Sequence, residues 1–361
     1  MSERRQKARH GPRYSFFPII LTVIFLTFSG SFQIGYQDIY YEHYNRVLNT
    51  NSNESIQYLT TEKNESNATE EVFSLKDTFF SPKVSHTSIY FHLGVAIGSL
   101  LFGMIFLRLG AKWSFLIFSG FAMLTSTLIA LGDVIQNHLF LLSIIRSIFG
   151  ICVGFLTCLQ VSVLNDIAMD EDRIVFHFFT MLAVPLGYNS ALFMGREPFT
   201  TETIWYGGHL VSVFPLLLAF LYVLICFRDP PSTLIIRGLD EKALKSAQYY
   251  YGDYHADYAL AETHDRVKIK QSIPTLLTIW NDKVAMKSLF LAALVNIVAG
   301  FSGDRFSWIF LCQYISTNNI ELSMQYASLF FVIFLSMIGS IFCLLFLTRF
   351  ERKHLLIVSI F

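Results

Sequence analysis

Two places in this chain set chemically active side chains in apolar surroundings. In "NIVAGFSGDRFSWIFLCQY", residues 296–314, Asp304 and Arg305 are adjacent in an otherwise uncharged run, with Trp308 close behind. In "SFQIGYQD", residues 31–38, the polar groups are Gln33, Gln37 and Asp38, while Arg146 stands alone in "LLSIIRSIFG". A charge inside a membrane costs about 2.5–3.5 kcal/mol on insertion scales, so each one is expected to face a partner or water. Neighbours on a helix diverge by about 100°, so Asp304 and Arg305 do not easily satisfy each other. Asp38 is a candidate partner for Arg305, and Arg146 for Asp304. The expectation is a polar cluster in a cavity; the alternatives are an ion-pair plug without a ligand and a helix break near the outer surface. No nucleophile–base pair, metal-ligand spacing or phosphate-binding loop accompanies these groups, so neither an enzyme nor a metal or cofactor is expected. His92 and His177 read as packed or cavity-lining side chains.

The elements that must position these groups are membrane spans. Of the residues, 53% are hydrophobic and 15% charged, with a mean hydropathy of +0.48, a balance outside the soluble globular range. Runs such as "SMIGSIFCLLFLT" lack the polar face that repeats every three to four residues in a soluble helix. Crossing a hydrocarbon core about 30 Å thick takes ~20 apolar residues. Eight stretches meet this, near 16–37, 88–107, 113–132, 138–162, 174–195, 208–227, 285–311 and 325–347, and "HLLIVSIF" starts a ninth. The first is too long for a signal-peptide core of about 7–15 residues and lacks a cleavage site, so it is expected to be retained.

With the N-terminus placed in the cytoplasm, 20 of the 27 Lys and Arg fall inside and five outside. The excess of inner positive charge favours that orientation. The same threading puts three N-x-[ST] sequons, at Asn53, Asn64 and Asn67, in one outer loop, and glycosylation is expected there. The layout is then a basic N-terminus (1–15), a six-helix lobe (16–227, with the outer loop 38–87), a cytoplasmic helical linker (228–284) and a partial second lobe (285–361). In the linker, "LDEKALKSAQYYYG" predicts a helix started at Asp240 and stopped by Gly252. The five cysteines, Cys152, Cys158, Cys226, Cys312 and Cys343, map to spans and predict no disulfide framework. Zero net charge points to no nucleic-acid partner, and leaves the lipid bilayer and a small-molecule solute. A plasma-membrane or endomembrane location follows; oligomeric state is not readable.

Five motifs in register resemble the sugar porters of the major facilitator superfamily, nearest the facilitative glucose transporters of solute carrier family 2. They are "SFQIGYQ", "GVAIGSLLFGMIFLRLGAKW", "RSIFGICVG" with "LNDIAMDEDR", "FRDPPSTLIIRG", and "SGDRFSWIF". The resemblance implies an all-α major facilitator fold, with a six-helix N-terminal lobe and an incomplete C-terminal one. It also implies facilitative alternating access around a hexose-like solute. Gln33, Gln37, Asp38, Arg146, Met181, Asp304, Arg305 and Trp308 become cavity candidates. Arg108, Gly110, Lys112, Asp166, Arg173, Arg349 and Arg352 become cytoplasmic gate candidates. Gly94, Gly98 and Gly103 on span two, with Gly150 and Gly154 on span four, are expected to let helices approach closely.

The departures from that pattern fall on the site chemistry. Met181 stands where the family has a glutamine, while Ala299, Gly300 and Arg305 stand for two glutamines and an asparagine. These cannot replace amides that donate to and accept from hydroxyls, so the expectation is an altered specificity, a binding or regulatory relative that does not transport, or a fragment of a twelve-helix carrier. Proton-coupled members carry aspartate where this chain has Gln37, which makes uniport the expectation.

Overall fold

A computed structural model describes residues 17–38, 40, 82–130, 139–168, 173–194, 207–271, 282–301 and 322–347. Among the described residues every regular element is helical. Helix α1 covers Phe17–Ser29, turns at Gly30 and continues over 31–38. Then come α2 (Pro82–Leu109), α3 (Ala111–Ala130), α4 (Leu139–Ile167), α5 (Arg173–Met194) and α6 (Gly207–Ile225). The chain goes on through α7 (Pro231–Ile236), α8 (Asp240–Gln271), α9 (Lys283–Phe301) and α10 (Leu322–Leu347).

Among the described residues, six stretches are long and apolar enough to cross a membrane: Phe17–Asp38, Ile89–Leu109, Ala111–Ala130, Phe140–Ile167, Arg173–Met194 and Gly208–Ile225. They coincide with the first six expected spans to within a few residues. The apolar stretches described in α9 and α10, Met286–Val295 and Phe330–Phe342, fall within the last two. The chain divides into two compact units, Ile19–Arg228 with Ile315–Leu345, and Met1–Pro18 with Asp229–Tyr314 and Phe346–Phe361.

In the second unit, Pro231 opens α7 at the position where a missing N–H costs least. Gly238, at φ +71°, ends it. Leu239 N donates to Leu234 O and Gly238 N to Ile235 O, both at 2.9 Å, so the last carbonyls are satisfied by a Schellman arrangement. Leu234 and Ile235 then pack with Ala243 and Val267 of α8. Asp240 and Glu241 occupy the first turn of α8, where negative charge suits the helix dipole. Gly252 breaks the helix at φ +75°, as its sequence predicts, but a second helical segment starts at once and runs to Gln271. The reason is visible in the packing: Leu260 and Val267 still have an apolar partner in α7.

The first unit is apolar outside and sets a group of polar side chains within its apolar core. Leu100, Met104, Trp113 and Phe140 are among its most exposed side chains, while Gln33, Gln37, Arg146, Gln160 and His209 are buried. That inversion suits a lipid surround. Its tightest contact joins α2 to α4. A Cβ on Gly94 would strike the carbonyl of Ser147, and one on Gly98 that of Ile151. In return a Cβ on Gly150 would strike the carbonyl of Phe91, and one on Gly154 that of Val95. Two G-x-x-x-G stripes thus face each other, and backbones meet without side chains between them. Gly103, expected to join the stripe, has nothing within 4 Å of a built Cβ. The pairing of α1 with α5 follows the same rule, Gly35 lying on Val184 O and Gly187 on Phe32 O. Overpacking costs about 1–3 kcal/mol in cores with room to relax, and more against backbone. Gly98→Val is therefore expected to abolish monodisperse protein on size exclusion in detergent, with Gly103→Val eluting like the parent.

Candidate functional site: a buried polar seam and the ends of the spans

Helix α1 carries a run of rings at every fourth residue, with Phe28 tilted against Phe32 at 5.2 Å, and Phe32–Tyr36 and Tyr36–Tyr40 stacked at 5.9 Å and 5.4 Å. This ladder turns the polar groups between the rings toward neighbouring helices. Gln33 Nε2 donates to Ser212 O of α6 at 3.0 Å, and Gln37 Nε2 to Ser212 Oγ at 3.2 Å. Ser212 Oγ and Ser126 Oγ of α3 lie 3.0 Å apart, and both face His209 O. The Tyr36 hydroxyl donates to Gly208 O at 2.7 Å, and the Tyr40 ring meets His209 edge-on at 5.0 Å. Gln33 and Gln37 are both buried, and among the described residues their amide oxygens receive no hydrogen bond. Their donors bind α1 to α6.

On the other flank, Gln160 of α4 accepts from Ser31 N and Ser31 Oγ and donates to Thr27 Oγ1, each at 3.2 Å. A Cβ on Gly30 would crowd the same amide, at 2.5 Å from Gln160 Oε1, so the glycine turn lets α1 settle on Gln160.

Asp38, in the last turn of the first span, lies 3.2 Å from His92 Nε2 of α2. Its side chain is 7% exposed, against 41% for His92. Arg146 is 2% exposed and holds its guanidinium 5.4 Å from the centroid of Phe91, the residue before His92. Such a cation–π contact partly offsets the loss of water around the charge. Met181 is 56% exposed on α5 and outside this seam.

Five of the gate candidates sit at or between helix ends. Arg108 lies in the last turn of α2 and Arg173 opens α5. Asp166 falls at the end of α4. Gly110 joins α2 to α3 at φ +82°, a conformation that suits glycine. Lys112 reaches across to the end of α6, its Nζ donating to Leu224 O at 3.0 Å and Phe227 O at 3.4 Å. A lysine on the last carbonyls of a helix satisfies them and complements the dipole. His177 Nε2 and Asn165 Oδ1, 2.8 Å apart, tie α5 to α4 nearby. Asp304, Arg305, Trp308, Arg349, Arg352, Asn53, Asn64 and Asn67 lie outside the described residues.

Sequence reasoning missed Ser126, Gln160, His209 and Ser212. A histidine or glutamine inside a span is itself a signal, because an unpartnered polar group there is costly. The serines carry no such signal. Interhelical hydrogen bonds in membranes are worth ~0.6 kcal/mol on average. Gln160→Ala, which removes three of them, is expected to lose about 1–2 kcal/mol, read as a fall of several degrees in thermal unfolding in detergent.

Comparison with known proteins places this architecture. Residues 23–361 match the family described as Sugar (and other) transporter. Over 216 residues, 59% of this chain, it is 27% identical to solute carrier family 2, facilitated glucose transporter member 4 of Mus musculus. Against the Homo sapiens protein the figure is 26% over the same length. In both cases the match spans 42% of the relative's own length. Among solved structures, the proton:xylose symporter XylE bound to 6-bromo-6-deoxy-D-glucose superposes with a TM-score of 0.73 at 17% identity, covering 93% of this chain and 70% of that one. The partially occluded inward-open XylE from E. coli gives 0.68 at 16%, covering 93% and 75%. The fold is therefore the major facilitator fold, a transporter architecture rather than an enzyme's. This chain belongs to the sugar transporter family of the major facilitator superfamily, as a multi-pass membrane protein.

Proposed function

We propose that this protein moves a small, hydroxyl-rich solute of the hexose class down its gradient by alternating access, without proton coupling. Family membership supports sugar-porter transport in general. The observation that carries the uniport reading is Gln37: an amide does not titrate, and its N–H is committed to Ser212. The N-terminus lies in the cytoplasm, which sets Arg108, Lys112, Asp166 and Arg173 on the inner face, with Arg349 and Arg352 assigned to the same gate. Rim ion pairs are worth ~1 kcal/mol or less each, so such a gate sets the balance of states without locking one. Asp304, Arg305 and Trp308, with Asp38, Arg146 and Met181, are assigned to the central cavity; Gln33 and Gln37 serve it from behind, by fixing α1 on α6.

A second reading, a relative that binds or regulates without transporting, is favoured by the loss of amides at Met181, Ala299 and Gly300. Uptake of labelled D-glucose and D-xylose into proteoliposomes separates the two. The expected result is saturable entry to equilibrium, unaltered by an imposed proton gradient. Gradient-driven accumulation would sink the uniport reading, and no entry of any hexose, polyol or organic ion would favour the second. Orientation has its own check: the mature chain is expected to shift on glycosidase treatment, and the Asn53→Gln, Asn64→Gln, Asn67→Gln triple variant to show no shift.

A further inference from the structure

We propose that Asp38 and His92 form a proton-binding site at the end of the first span, through which pH on that side regulates solute handling. The proposal rests on the transport reading above and adds a control to it, distinct from proton co-transport. The geometry has three parts. First, His92 Nε2 and Asp38 Oδ1 are 3.2 Å apart on different helices, so the contact ties α1 to α2. Second, the two side chains differ in access: the carboxylate is 7% exposed and the imidazole 41%, which makes His92 the point where a proton enters and leaves. Third, α1 is held from its other flank by the Tyr36 hydroxyl on Gly208 O and by Tyr40 against His209. The end of α1 is thus clamped between α6, by contacts that do not need a net charge, and α2, by one whose strength follows protonation.

Imidazole is the side chain whose charge ordinarily changes between about pH 5 and 8. With a proton on both ring nitrogens the two side chains form an ion pair around a largely buried carboxylate; without it, the carboxylate faces an uncharged ring. Acid therefore tightens the clamp and alkali loosens it. The other titratable or charged groups whose side chains are described near this corner are Tyr36, Tyr40, Tyr90, Arg146, Tyr188 and His209, and α2 also carries Lys83 and His86 toward its start. Of the two histidines at this corner whose side chains are described, His209 is buried, so His92 is the one that bulk protons reach. Linkage then requires that a proton bound here and a solute bound to the same lobe alter each other's affinity by one common factor, typically ~5–150-fold when sites are coupled.

Two arms test this. In proteoliposomes, the concentration of D-glucose giving half-maximal entry is expected to change at least ~5-fold between about pH 5.5 and about pH 8. His92→Gln is expected to flatten that profile, and His92→Arg to hold it at the parent's acid value throughout. A pH profile that survives in His92→Gln would overturn the proposal, as would a flat parent profile accompanied by measurable entry. The second arm needs no solute: thermal unfolding of purified parent, His92→Gln, Asp38→Asn and the double variant at both pH values. The expected coupling between the two substitutions is larger at acid pH; equal or absent coupling refutes the site. Absence of D-glucose entry in every variant would refute the transport reading for that sugar, and the unfolding cycle would still decide the site.

Discussion

Everything in the first unit depends on the contact between α2 and α4, where four glycines meet four carbonyls. Lipid tails are as apolar as leucine, so burial gives helices little reason to associate inside a membrane; close backbone approach, with weak Cα–H···O contacts and dispersion, takes over. Gly94, Gly98, Gly150 and Gly154 permit that approach in both directions. The consequence reaches the polar groups directly. Gly150 lies on the carbonyl of Phe91, which fixes that ring above Arg146 and sets the next residue, His92, toward Asp38. A larger residue in the stripe would separate α2 from α4 and remove the cation from its ring.

The first six spans are legible because about twenty apolar residues without a polar face find a matching solvent only in a bilayer. Glycine contacts are legible by type but not by face. Gly103 continues the spacing along α2 and touches nothing, since composition alone does not give the rotation of a helix about its axis. The same gap explains Gln33 and Gln37. Both a wet cavity and a dry seam between helices call for amides, and only the direction of the Nε2 groups, toward Ser212, tells the two uses apart. In the linker, Gly252 is legible as an interruption. Its role as a joint between two helical segments depends on Val267 finding α7, a tertiary contact that no local pattern encodes.

Buried polarity in this lobe is divided between two jobs. Gln33, Gln37, Gln160, Ser126 and Ser212 use neutral hydrogen bonds to fix helix against helix, so their contribution does not vary with proton concentration or salt. Asp38, His92 and Arg146 are the ionisable groups at the edge of that framework. The neutral seam gives these ionisable groups a fixed geometry.

The ladder of rings on α1 has a mechanical meaning. Each of Phe32, Tyr36 and Tyr40 leans on the ring before it, starting from Phe28, and offset or tilted aromatic pairs are worth about 0.5–1.5 kcal/mol beyond their burial. Bending this part of the helix would part several rings at once, whereas tilting it as a whole parts none. Beyond Gly30 the helix should therefore behave as a stiff lever with its fulcrum at Gln160, so that a nudge near Tyr40 arrives at Phe32 almost undiminished.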